Sequence, residues 1–121
     1  MSGSVDPPSF RIRVIFGPGS RMGPGKADLL EGIGETGSIA AAGRRMGMSY
    51  KRAWQLAETM NSMFRSPLIE SSRGGPGGGG ARLTDVGRRV LDEYRALERA
   101  AGAAGGAHAE ALRGLLRTSG D

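Results

Sequence analysis

The residues of this chain with the most to offer chemically are cations, and they crowd its middle. Residues 44–82 hold seven basic side chains (Arg44, Arg45, Lys51, Arg52, Arg65, Arg73 and Arg82) and only two acids, Glu58 and Glu70. That surplus equals the whole formal charge of +5, so the flanking segments read as electrically balanced. A basic middle between neutral ends is the footprint of a face that meets a polyanion. Catalytic chemistry is poorly supplied by comparison. The absence of cysteine excludes thiolate metal sites, iron–sulfur clusters and disulfides. The single histidine, His108, stands in an alanine-rich tail with no second ligand near it. Gly32-Ile33-Gly34-Glu35-Thr36-Gly37 spells G-x-G-x-x-G, yet it ends a predicted helix where a dinucleotide-binding turn would open one. Gly25-Lys26 has Ser20 in place of the first glycine of a phosphate loop and Ala27 in place of its hydroxyl. Asp28, Glu31 and Glu35 share one helical face and read as solvated. No enzyme activity, metal or cofactor is expected.

The elements that must position the cations follow from periodicity and punctuation. At 121 residues, 12.6 kDa and 38% hydrophobic content, the chain suits one domain with a modest core. Residues 1–9 read as a flexible tail without a secretory signal, and the apolar runs are too short for a membrane span. A cytoplasmic protein is expected. Alternation over Phe10–Phe16 predicts a strand, stopped by Gly17-Pro18-Gly19-Ser20. A helix is predicted from about Lys26 to Glu35, with Leu29, Leu30 and Ile33 inward and Gly37 at its end. Ser38 can cap a short helix over Ile39–Arg45, and Ser49 a longer one from Tyr50 to about Arg65, ended by Pro67. Leu68–Ser72 and Ala81–Thr84 predict a hairpin around a glycine-rich tip at residues 74–80. Thr84 caps a further helix carrying Val86, Val90, Leu91, Tyr94 and Leu97, which Gly102, Gly105 and Gly106 are expected to interrupt. Residues 10–100 therefore form the domain, and 101–121 a weakly helical or flexible tail.

Two short helices, a tight turn and a strand–glycine–strand unit describe a winged helix-turn-helix, mostly α with a small β-hairpin wing. Ala41, Ala42 and Gly47 are small enough for the two helices to cross closely. The second helix would project its start into a major groove of double-stranded DNA. There Lys51, Arg52 and Gln55 can donate to base edges, with Thr59 beside them, while Ser38, Ser49 and Tyr50 sit where hydroxyls and free amides meet phosphate. Arg73 and Arg82 bracket the wing tip and are placed to contact flanking phosphates. Val86, Val90, Leu91, Tyr94 and Leu97 make a stripe broader than one contact needs, which predicts a homodimer held by that helix and the N-terminal strand region. The alternative from another class is a winged helix used for protein interaction or for non-specific architectural DNA binding.

The helix-turn-helix and wing also resemble a known family, the ModE-type molybdate-responsive transcription regulators, in their N-terminal DNA-binding domain. The resemblance spans roughly residues 10–100. It is carried by Gly25-Lys26-Ala27-Asp28-Leu29-Leu30 and by Ile33-Gly34-Glu35-Thr36-Gly37-Ser38-Ile39. Gly47-Met48-Ser49-Tyr50-Lys51-Arg52-Ala53-Trp54, Met60-Asn61, Gly74-Gly75, Gly77-Gly78-Gly79-Gly80-Ala81 and Leu83-Thr84 complete it. It implies a dimeric winged helix on operator DNA, with Ser49, Tyr50, Lys51 and Arg52 at the groove. Two departures stand out. Pro76 replaces a lysine common in the family's wings, and the family's molybdate-binding domains have no counterpart here, so molybdate binding is not expected in this chain.

Overall fold

Three hydroxyls begin three helices where the sequence marks them. In the computed structural model, which describes residues 7–72 and 80–117, Ser38 Oγ accepts from Ala41 N at 3.0 Å and opens α2 (Ile39–Arg45). Ser49 Oγ accepts from Arg52 N at 3.1 Å ahead of α3 (Tyr50–Met63), and Thr84 Oγ1 from Gly87 N at 2.9 Å ahead of α4 (Asp85–Gly114). Each bond satisfies an amide that the first helical turn leaves open. The preceding helix, α1 (Pro24–Thr36), starts with proline and stops at Gly37, whose φ of +73° suits glycine.

Before α1 runs an antiparallel hairpin of β1 (Val14–Gly17) and β2 (Ser20–Met22), with Val14 opposite Met22 and Ile15 opposite Arg21. Here the expectation is corrected. Gly17-Pro18-Gly19-Ser20 turns the chain back, with Gly19 at φ +76°, instead of merely ending a strand. After α3, β3 (Ile69–Ser71) and β4 (Ala81–Leu83) pair antiparallel as the base of the wing, with Ile69 opposite Leu83. The wing tip and Arg73 lie outside the described residues.

Leu29, Leu30 and Ile33 of α1, Met60 of α3 and Leu68 before β3 are fully buried at the centre of the core. Met22, Ile39, Ala42, Ala53, Ala57, Ile69, Leu91 and Tyr94 surround them. The crossing of α2 on α3 depends on Gly43, where a Cβ would lie 2.8 Å from the Ala53 Cβ. Gly47 makes the turn itself, at φ +71°. Of the small residues expected here, Ala41, Ala42 and Gly47, Ala42 is buried and Gly47 forms the turn, while the close approach to Ala53 is at Gly43.

A second correction concerns α4, which continues through Gly102, Gly105 and Gly106 to Gly114. Alanines between the glycines offset their low helix propensity. Gly105 also receives Phe10, whose ring would be 3.0 Å from any Cβ there. Arg95 ties α4 to α1, reaching Asp28 Oδ1 at 2.8 Å, Glu31 Oε1 at 3.2 Å and, within α4, Glu98 Oε1 at 3.0 Å. Burial opposes its charge, but hydrogen bonds to Asp28 and Glu98 and the charge of Glu31 prevail and hold the guanidinium above its ordinary pKa. The acids read as a solvated face are largely exposed and also make ion pairs: Asp28 and Glu31 hold Arg95, and Glu35 pairs with Arg45 at 2.8 Å.

Candidate nucleic-acid interface

Helix α3 buries Ala53, Ala57 and Met60 and turns Lys51, Gln55, Glu58 and Ser62 outward. Tyr50 is exposed at its start, its ring edge-on to the half-buried Trp54 at 6.0 Å between centroids. Ser38 and Ser49 are occupied as caps, and Thr59 donates its hydroxyl proton to Gln55 O at 2.9 Å. Of the expected groove-facing set, Lys51 and Gln55 therefore stand free on the outer face, while Thr59 is tied into its own helix.

Arg52 leaves that face sideways, toward the N-terminal hairpin. There it lines an open groove of about 760 Å³ with Arg11, Arg13, Arg21, Lys26 and Met48. None of the lining residues is acidic. The four arginines form no ion pair among the described residues, and Lys26 Nζ donates to Arg21 O at 2.6 Å. Burial, then the charges of Arg21, Arg13 and Arg52, push the Lys26 ammonium below its ordinary pKa. The balanced flanks of the sequence are thus balanced only as an average. In the N-terminal flank Asp28, Glu31 and Glu35 sit on α1 while Arg11, Arg13, Arg21 and Lys26 gather beside α3; the cations and acids of the other flank share α4. In the wing base, Arg82 pairs with Glu70 at 3.4 Å, and both are exposed.

Asn61 is the site residue whose role the sequence reading missed. Its Oδ1 accepts from Leu68 N at 2.8 Å and Ile69 N at 3.0 Å, and its Nδ2 donates to Ile69 O at 3.0 Å. The side chain so clamps the wing onto α3. A carboxamide can do this because it carries the donor and acceptor of a peptide group.

Of the stripe expected at a dimer interface, Leu91 and Tyr94 are buried in the chain's own core, at 4% exposure each. Tyr94 hydroxyl donates to Ile12 O and fixes the segment before β1. Val86 and Leu97 are exposed and Val90 half-buried. Together with Val14, Phe16 and Phe64 they line an apolar groove of about 1090 Å³ between the hairpin and α4.

Comparison with known proteins bears on this geometry. The chain is 44% identical over 85 residues to the molybdenum-pterin-binding protein MopB of Rhodobacter capsulatus, covering 70% of this chain and 32% of that protein. It is 44% identical over 80 residues to the molybdenum transport protein ModE of Azotobacter vinelandii, covering 66% and 30%. Against the DNA-binding transcriptional dual regulator ModE of Escherichia coli K12, it is 40% identical over 74 residues, covering 61% and 28%. Its homologues are the ModE-type regulators. The chain spans about a third of the length of these ModE-type relatives. No family model matches it. The DNA-binding domain of CbnR, solved in complex with DNA, superposes with a TM-score of 0.57 at 23% identity, over 72% of this chain and 94% of that one. The fold is a winged helix. Among the described residues, no helix is long and apolar enough to cross a membrane.

Proposed function

We propose that this chain is a sequence-specific DNA-binding regulator of transcription, acting as a homodimer with α3 in the major groove. The observation that carries this reading is the outer face of α3. Lys51 and Gln55 stand free there, one turn from an amide-rich helix start, in a helix-turn-helix with ModE-type homologues. Lysine can donate to guanine edges, and glutamine can bridge adenine. Arg82 and Arg73 of the wing are the flanking contacts in this reading, with Arg82 exchanging Glu70 for a phosphate. Both exposed partners are well solvated, so that exchange costs little. The apolar groove along α4, rimmed by Phe16, Val86 and Leu97, supports association with a second copy, because a patch of that kind is poorly left to water.

Selection of binding sites from random duplexes tests the reading. The expected product is an inverted repeat whose half-sites lie about one helical turn apart, or a multiple of it. Gln55→Ala should relax one position of each half-site and cost about 1–3 kcal/mol there. Binding without any enriched motif would favour the architectural alternative and overturn sequence-specific regulation.

A further inference from the structure

We propose that the N-terminal hairpin and the start of α1 form a second phosphate-binding surface, which takes the DNA backbone beside the start of α3. The inference rests on the DNA-binding reading above and adds to it a site outside the helix-turn-helix and wing. Arg11 and Arg13 come from the segment entering β1, Arg21 from β2, Lys26 from α1 and Arg52 from α3. Four separate stretches of chain thus deliver five cations to one open groove, with no acid among the residues lining it.

The placement of the acids makes this arrangement specific. Glu35, Glu70, Glu93, Asp28 and Glu31 are all engaged with arginines elsewhere, at Arg45, Arg82, Arg89 and Arg95. Cations held together without counter-charge repel one another, and that repulsion adds to burial in lowering the Lys26 ammonium. A polyanion relieves it. The groove is open and lined by cations from four stretches of chain, which suits a sugar–phosphate strand laid across it. Arg52 starts on α3 and lines this groove, so a strand leaving the edge of the α3 footprint meets the hairpin next. The hairpin is also held firmly enough to serve. Phe16 packs edge-on against Phe64 with centroids 6.4 Å apart, and Tyr94 holds Ile12 between Arg11 and Arg13.

The test measures duplex affinity of the full chain against salt concentration for the wild type and for Arg13→Ala with Arg21→Ala. Removing two phosphate contacts should flatten the slope of log K on log salt by about 1.8 and weaken binding about 30-fold at 0.15 M salt. Base preference in site selection should stay unchanged, and Arg13→Lys with Arg21→Lys should restore the slope, since lysine also neutralises phosphate. A parallel pair outside the groove, Arg99→Ala on α4 with Arg117→Ala just beyond its end, should leave the slope as it was. If the wild type binds duplex and the alanine pair keeps the wild-type slope, the hairpin surface is refuted while the DNA-binding reading stands. A wild type that binds no duplex refutes that reading and this surface with it. Pyrophosphate is titrated in parallel. If it binds the wild type but not the alanine pair while the DNA slope is unchanged, the groove is a free-anion site and the backbone proposal is overturned.

Discussion

Replacing Asn61 by alanine should detach the wing from the recognition helix. Ile69 lies opposite Leu83, and Leu68 O accepts from Thr84 N at 2.9 Å. In an antiparallel ladder, bonded and non-bonded pairs alternate, so the N–H and C=O of Ile69 point away from β4. Asn61 takes the place that a third strand would fill, and it also receives Leu68 N. Leu68 is fully buried and Ile69 nearly so, which leaves two donors and one acceptor without partners when the amide is removed. Each such group costs about 1–3 kcal/mol. Because Asn61 is half-buried, water can reach part of the gap, and a total of about 2–4 kcal/mol is expected. For a domain of this size that lowers the melting temperature by roughly 8–16 °C. Urea unfolding followed through Trp54, the chain's sole tryptophan, reads the loss directly. The midpoint should fall while the denaturant slope holds. A loss below about 0.5 kcal/mol, the range of a neutral surface change, would refute the clamp.

Gly87→Ala should be among the most destabilising small changes in the chain, because its Cβ would lie 2.1 Å from the carbonyl oxygen of Leu68. Circular dichroism melting would show it, and a variant as stable as the wild type would refute the close approach. Tyr94→Phe should lower stability at neutral pH through the lost bond to Ile12. Burial, aided by Glu98, pushes the Tyr94 phenol above its ordinary pKa, so its contribution is complete below about pH 10 and is lost as the pH climbs through the raised folded value. The gap between wild type and variant, measured by urea titration, should therefore narrow above pH 10. Val86→Glu with Leu97→Glu should yield a folded monomer by sedimentation if the α4 groove joins two copies. A variant that remains dimeric would remove that interface from consideration.

What was legible in the sequence was local. Ser38, Ser49 and Thr84 announce their helices because a cap needs only a hydroxyl and an amide three residues on. The helix-turn-helix and the base of the wing follow from those starts and from apolar spacing. What escaped depends on residues far apart in the chain. Gly43 looks like any helical glycine until Ala53 is laid across it. Gly105 reads as a break unless Phe10 is known to lie on it. The hairpin cations, counted along the chain, cancel against acids that in space lie on other helices. Leu91 and Tyr94 repeat at the same spacing as Val86 and Leu97, and periodicity alone does not say which of them faces the chain's own core. Asn61 belongs to the family resemblance, but its role was illegible, since one polar residue on a helix is ordinary until two backbone amides meet it.

The bond from Tyr94 to Ile12 has a consequence for how the two surfaces communicate. It joins the helix that rims the apolar groove to the segment that carries Arg11 and Arg13, with Tyr94 itself lining that groove. Whatever displaces α4 from the groove side displaces the anchor of two hairpin cations. Thermodynamic linkage is reciprocal, so a partner that binds the groove better in one hairpin position must itself bind more tightly when an anion holds the hairpin there. In such a case association and DNA affinity would be two readings of one equilibrium, and Tyr94→Phe, by cutting the strut between them, would make each indifferent to the other.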